Sequence, residues 1–496
     1  MRGIVPFFHD LLILAMVAGV FSLAARAQEA KTDLKPTAVE QPVPSPVSSP
    51  SNGAADRPAA PQTSVSAGFD EGASTSQEYD LPRSIQTALE SNYDILKAKE
   101  RIQRQRGAVV EVRSRYIPHA AINTGIQQID RNLVYNPVAL LEGDQNNWNV
   151  TLEITQSLYT GGRNDALLKN QKALMEAALF ELQSVVNNVL LSVRERYYAI
   201  LLARAEVVVQ EQYIQLLEEE LHSERNKHEA GTVSSFNVLR AEVALANGRT
   251  PLIRARNNLR LALDELTQVL GLAPKRETDA LTPIRVVKEQ MAYRPYYLEL
   301  ATALQVAQDQ RPEFKRLNKM MESQAQMVRY QKAGHQPQLD AFFDYGVQQA
   351  SYSSHLDEEV HGWTVGLRGV WNIFDGLATE GRIKQAKSDM MLALLELEQT
   401  RLNVDVEVRR AFSTYVEASE LLAASKKVVQ QAQESLRLAR ARFDVGAATQ
   451  LDVLDSQVAL TQARTNEVRA LYDYNVACFR LNKAMGNMEK YEVKAN

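Results

Sequence analysis

Apolar and polar side chains alternate strictly between residues 148 and 155: Trp148, Val150, Leu152 and Ile154 against Asn149, Thr151, Glu153 and Thr155. The run Trp363, Val365 and Leu367 against Thr364, Gly366 and Arg368 does the same. Period two with one apolar face predicts strands between a polar and an apolar phase. The stretches 122–127 and 339–345 read as their hairpin partners, although Phe342 spoils the alternation in the second. Elsewhere the period changes to three and four. Leu182, Val186, Val189, Val193, Tyr197 and Ile200 mark an apolar stripe on one long helix, and Leu397, Val404, Val408, Ala411 and Tyr415 mark another. Neither Pro nor Gly interrupts the chain from Arg163 to Glu229. Roughly 68 residues at 1.5 Å rise span on the order of 100 Å, the length of a rod in a coiled-coil or bundle wall. A helix over 84–115 and another over 297–333 open the two halves, ended by Pro118 and Pro337. The rods reverse at Gly231 and Gly446, each able to supply a left-handed C-terminal cap. Ser234 and Thr449 are expected as caps or first-turn hydroxyls of return helices that run to about Leu270 and Met485. Two half-rods laid end to end match one rod. Pro251 is expected to kink the first return helix.

The two halves are copies. Trp148 returns as Trp363, Gly231 as Gly446, Leu239 as Leu454 and Gly271 as Gly486, each 215 positions on. Upstream the interval is 219, as from Pro118 to Pro337. The copies differ mainly by a loop four residues longer in the first, between Pro118 and Trp148. A register kept this long implies rigid elements of fixed length. The first repeat occupies 79–290 and the second 291–490, followed by a tail at 491–496.

Composition sharpens this picture at the N-terminus. Seven of the 17 prolines fall between Pro36 and Pro61. Residues 28–78 are Pro-, Ser- and Ala-rich and read as a disordered linker, because they cannot offset ordering entropy by burial. Before them, the apolar run Leu11 to Leu23 is too short for a mature span and ends in Ala25-Arg26-Ala27. That combination predicts a secretory signal peptide over 1–27. A formal net charge of −4 gives no bulk argument for nucleic-acid binding. The lone cysteine, Cys478, excludes an intrachain disulfide.

Trp148, Trp363 and Trp371 lie in or at the ends of the strands, and Tyr159 closes one of them. Such an aromatic belt is what a membrane interface selects. About ten residues per strand suits a bilayer crossing, but four strands cannot close a barrel. Copies must therefore pool them, two giving eight strands or three giving twelve. Glu153 and Arg368 occupy matching positions on the presumed lumen face, and a mixed-charge lumen fits a water-filled passage.

The order helix, strand pair, rod, glycine turn and return helix, used twice, resembles the TolC-like outer-membrane efflux channel family. The resemblance covers nearly all of 79–490. Its most specific pieces are Arg442-Phe443-Asp444-Val445-Gly446 followed by Leu451-Asp452-Val453-Leu454-Asp455, and the weaker Ala230-Gly231 followed by Phe236-Asn237-Val238-Leu239. The rod entries Tyr159-Thr160-Gly161-Gly162-Arg163 and Phe374-Asp375-Gly376 are also similar. The resemblance implies a homotrimer, mainly α with a twelve-stranded β-barrel in the outer membrane and a helical tunnel in the periplasm. It implies a narrow tip at the glycine turns, where Gly231, Thr232, Ser234, Gly446 and Thr449 meet a periplasmic adaptor. The adaptor is coupled to an inner-membrane pump of RND, MFS or ABC type. Asp452 and Asp455 would ring the constriction. The family type member closes its tip with polar side chains whose positions here hold Asn237, Phe443 and Ala448. Phe443 donates no hydrogen bond and Ala448 carries no charge, so another closing contact is needed.

Catalytic motifs are absent from the sequence: no G-x-S-x-G, P-loop, H-E-x-x-H or C-x-x-C occurs. His222 and His228 are six apart, the wrong spacing for one metal, and no cofactor is expected. The run Glu218-Glu219-Glu220 reads as a solvated face. The expected function is a passive, gated exit duct for small molecules or proteins. The alternative is a secreted trimeric coiled-coil protein of structural or adhesive role.

Overall fold

A computed structural model describes residues 78–128, 146–272, 285–286, 289–349 and 359–488. All of these belong to one compact unit, Ser74–Asn496. The expected signal peptide, almost all of the expected linker and the 491–496 tail lie outside the described residues.

The first repeat holds β1 (Glu78–Tyr79), α1 (Leu81–Ser91), α2 (Tyr93–Ser114), β2 (His119–Gln128), β3 (Asn146–Tyr159), α3 (Arg163–Glu229) and α4 (Ser235–Leu270). Its last strand is β4 (Arg285–Val286), and the second repeat holds α5 (Leu300–Gln310), α6 (Pro312–Lys332), a 3-10 turn (Ala333–His335), β5 (Gln338–Gln349), β6 (Glu359–Val370), α7 (Ala378–Asp444) and α8 (Gln450–Ala484). The rods α3 and α7 have 67 residues each, and their return helices have 36 and 35.

Half-rods do lie end to end along the first rod. Arg101 of α2 pairs with Glu181 and Gln105 with Gln171, toward the start of α3. Toward its end, α4 takes over through Arg256–Glu211 and Arg225–Glu242. The half-rods meet where Asn92 Nδ2 donates to the Val269 carbonyl at 2.7 Å.

That junction corrects one expectation. Each opening helix is two helices, broken at Asn92 and at Arg311. Asn92 caps α2, its side chain accepting from the Asp94 and Ile95 amides. In the second repeat Pro312 sits at the first position of α6, where its missing donor costs nothing. Gly271 and Gly486 pack against these breaks with φ of +73° and +74°. A Cβ on Gly271 would lie 2.3 Å from the Ser91 carbonyl, so glycine is the residue that lets the half-rods abut.

Two apolar cores obey the same repeat arithmetic. One joins Ala88 and Ile95 to Val189, Val193, Leu266 and Leu270. The other joins Ala307 and Phe314 to Val404, Val408, Leu481 and Met485. Each member of the second set stands 219 or 215 positions after its counterpart. Burial of such a large side chain contributes about 1.5–3 kcal/mol, so these cores anchor the rods to the half-rod junctions.

Pro251 does not interrupt α4, which continues through it. The ring deprives the Asn247 carbonyl of its helical donor. Both residues are exposed, so water can serve that carbonyl.

Candidate functional site: a two-faced sheet and a pair of helical tips

The larger sheet has the order β2-β3-β5-β6, antiparallel throughout. Ile126 pairs with Trp148 and Tyr345 with Trp363, so the 219 and 215 intervals meet in the register itself. Cross-strand partners share a face. One face carries Asn123, Thr151, Glu153, Asp340, Asp344, Thr364 and Arg368. The other carries Ile122, Ile126, Val150, Leu152, Ile154, Phe343, Val365 and Leu367. Ile126 is 89% exposed and Leu367 65%, so this apolar face has no cover among the described residues.

A β-bulge between Ser157 and Tyr159 adds a residue to β3. Without it Tyr159 would share the polar face of Glu153; with it Tyr159 sits opposite Leu339 on the apolar face. Trp148 and Tyr159 then mark two aromatic levels eleven residues apart. At about 3.3 Å per residue that is roughly 36 Å of strand, and a tilt near 45° reduces it to about 26 Å, the height of an outer-membrane apolar band. Trp363 shares the first level. Trp371 lies just past β6 toward the second, its indole N–H donating to the His335 carbonyl.

Glu153 and Arg368 lie on one face, as expected, but are not opposed. Glu153 faces Asp344 and accepts from Asn123 Nδ2 at 3.0 Å. Arg368 faces Asp340, with its guanidinium 5.1 Å from the centre of the Phe342 ring. Phe342 lies directly across from Gly366, where a Cβ would meet its ring at 2.8 Å. The off-phase aromatic thus covers a cross-strand glycine and supports the arginine.

At the other end, both rods close with the same glycine turn. Gly231 N–H donates to His228 and Thr232 N–H to Lys227; Gly446 N–H donates to Phe443 and Ala447 N–H to Arg442. Gly231 and Gly446 have φ of +74° and +75°, the left-handed conformation this double-bonded C-cap requires. The return helices are capped differently. Ser234 stands at the N-cap of α4 but its side chain makes no cap bond; its carbonyl accepts from Asn237 N–H. Thr449 forms a full capping box with Asp452, whose Oδ2 accepts from the Thr449 amide at 2.7 Å and from its hydroxyl at 2.8 Å. Those bonds hold the Asp452 carboxyl below the usual carboxylate range.

Asp452 and Asp455 are both exposed on one face of α8, opposite the buried Val453 and Leu460. Gln450, itself buried, donates its amide to the Asn237 carbonyl and ties the two return helices together. Ala448 is half-buried.

Sequence reasoning missed one group here. Glu224 is fully buried, and Lys227 Nζ lies 3.3 Å from its Oε1. The same ammonium sits 4.3 Å from the centre of the Phe443 ring, on the other rod. Glu220 is half-buried with a sequestered carboxyl oxygen, correcting the solvated-face expectation. Burial, then the Glu224 charge, pushes its carboxyl up from the ordinary value. The signal was available: Leu217, Glu220, Leu221 and Glu224 follow three-four spacing, so these glutamates lie on the packed stripe.

A sheet with one polar face, an apolar face and two edges left uncovered among the described residues, and aromatic levels a membrane apart, carried on rods of on the order of 100 Å, defines an outer-membrane duct protein. The family described as outer membrane efflux protein matches residues 84–272 and 303–487. The outer membrane protein TolC of Escherichia coli strain K12 is 24% identical over 443 residues, covering 85% of each chain. The alkaline protease secretion protein AprF of Pseudomonas aeruginosa is 22% identical over 354 residues, 71% of this chain and 72% of that one. The crystal structure of the outer membrane protein VceC of Vibrio cholerae superposes with a TM-score of 0.68 at 17% identity, covering 82% of this chain and 96% of that one. The chain belongs to the outer membrane efflux protein family. It is an outer-membrane exit duct with a helical tunnel in the periplasm.

Proposed function

We propose that three copies of this chain pool their sheets into a twelve-stranded barrel, with the polar face of Glu153 and Arg368 inward. The observation that carries this reading is that, among the described residues, the edges β2 and β6 are unpaired and the sheet's apolar face is uncovered. Open edges are not tolerated in lipid, and four strands cannot close on themselves. The rods of the three copies form the tunnel wall. Residues 1–27 serve as the export leader.

In this reading the duct is passive and does no chemistry. A periplasmic adaptor docks at Gly231, Thr232, Ser234, Gly446 and Thr449, and an inner-membrane pump supplies the energy. Asp452 and Asp455, repeated three times, put six carboxylates around the axis at the narrow end, a ring that admits and binds cations. Cargo of either size is compatible with a polar passage. TolC is named for its membrane and AprF for protease secretion, so protein export is one of the uses this reading allows.

The test is detergent-extracted full-length protein, sized by light scattering and inserted in planar bilayers. The expected result is a trimer whose current is blocked by multivalent cations, with the block weakened by Asp452→Ala combined with Asp455→Ala. A folded monomer soluble in plain buffer overturns the duct; unchanged block overturns the carboxylate ring.

A further inference from the structure

The side chain of Lys227 reaches from one glycine turn of the chain to the other. Lys227 is the third residue from the end of the first rod, and its carbonyl accepts from both the Thr232 amide and the Thr232 hydroxyl, closing the first turn. Its ammonium spans to Phe443, whose own carbonyl accepts from Gly446 N–H and closes the second turn. Glu224 is fully buried one helical turn back, and its carboxylate holds the ammonium against the ring. A buried carboxylate with one oxygen otherwise unpartnered is costly unless a cation stays beside it. Lys227 is therefore constrained from within its own rod to the spot where Phe443 presents its face. The ring itself packs with Leu436, Val453 and Leu460 of the second repeat, so a pull on Lys227 is passed into that cluster.

We propose that the Glu224–Lys227–Phe443 clasp makes the two turns of each chain one mechanical unit and holds the tip in its narrow state. Lys227 and Phe443 are positioning residues: they touch no cargo and act by fixing where the turns stand. A contact made at either turn is then felt at the other. The consequence for current rests on the exit-duct reading; the coupling of the turns does not.

Two measurements separate these. Hydrogen exchange of the full-length protein reads the coupling without any channel. Phe443→Leu is expected to speed exchange of the Thr232 amide, on the opposite turn, about fivefold, the loss of one partly desolvated cation–π contact. Phe443→Trp, which keeps an electron-rich face, is expected to leave it at the native rate. Unchanged Thr232 exchange in Phe443→Leu overturns the clasp. In bilayers, Phe443→Leu and Lys227→Met are each expected to raise the open-to-closed ratio about fivefold per clasp, and the double variant no further than either alone. Lys227→Arg, which retains the cation, is expected to keep the native ratio. Additive single effects, or native ratios in both single variants, overturn the clasp. Absence of any current from the native protein overturns the duct reading, while the exchange result still decides the clasp.

Discussion

Replacing Asn92 by alanine isolates the half-rod junction of the first repeat. Its side-chain oxygen accepts from the Asp94 and Ile95 amides, and its amide group donates to the Val269 carbonyl at 2.7 Å. An asparagine cap contributes about 1 kcal/mol over alanine. The bond to Val269 adds about 1 kcal/mol, and a buried carbonyl left without a partner costs about as much again. The total is about 2–3 kcal/mol of local stability, since Asn92 is buried and water does not readily substitute. The assay is hydrogen exchange at the Asp94 and Ile95 amides and along the last turn of α4. The expected acceleration is about 30- to 150-fold at these sites, with amides near the glycine tips unaffected. Asn92→Asp separates the two halves of the effect, because it keeps the cap acceptor and loses the donor to Val269. It is expected to protect Asp94 and Ile95 while freeing the end of α4. Exchange within a factor of two of native at all these amides refutes the view that Asn92 joins the half-rods.

Two further outcomes follow from geometry. Gly486→Ala is expected to lower stability by more than 1 kcal/mol in chemical denaturation, because φ is +74° and the added Cβ would lie 3.1 Å from the Arg311 backbone; a native midpoint would contradict it. The cap at Thr449 carries a pH dependence. Folding lowers the Asp452 carboxyl below its ordinary 3.8, so its stabilising share is present above that pH and is lost as pH falls through the lowered folded value. Proteolysis between 445 and 449 is expected to increase on that acid limb. Thr449→Val, which removes the hydroxyl bond, should move the onset to higher pH, and an unmoved onset would count against the capping box.

The rods, the duplication and the strand phases were legible in the sequence because each is periodic. Thr449-Gln450-Leu451-Asp452 could be read as a cap for the same local reason. What escaped notice depends on segments far apart in the chain. Nothing near Asn92 announces that its amide will meet Val269, so the opening helix was expected to run unbroken. Phe342 looked like an error of phase until Gly366 was found across the strand from it. Lys227 and Phe443 are 216 positions apart, and a cation beside a ring leaves no spacing to detect. Glu220 was misjudged for another reason: its neighbours Glu218 and Glu219 are exposed, and three glutamates in a row hide which one faces inward.

The succession β2-β3-β5-β6 has a corollary for how identical copies would join. Within the chain, the second strand of one repeat (β3) meets the first strand of the next (β5). In a closed ring, β6 of one copy meets β2 of its neighbour, again a second strand against a first. With the three copies proposed above, six repeats would follow one another around the circumference, and the seam between molecules would be the same kind of seam as the one inside each. Shifting the observed pair Glu153–Asp344 by the two intervals brings Arg368 of one copy opposite Gly125 of the next. The assembly contact would thus be older than the single chain: a joint first made between separate half-length proteins, later covalently internalised at every second position.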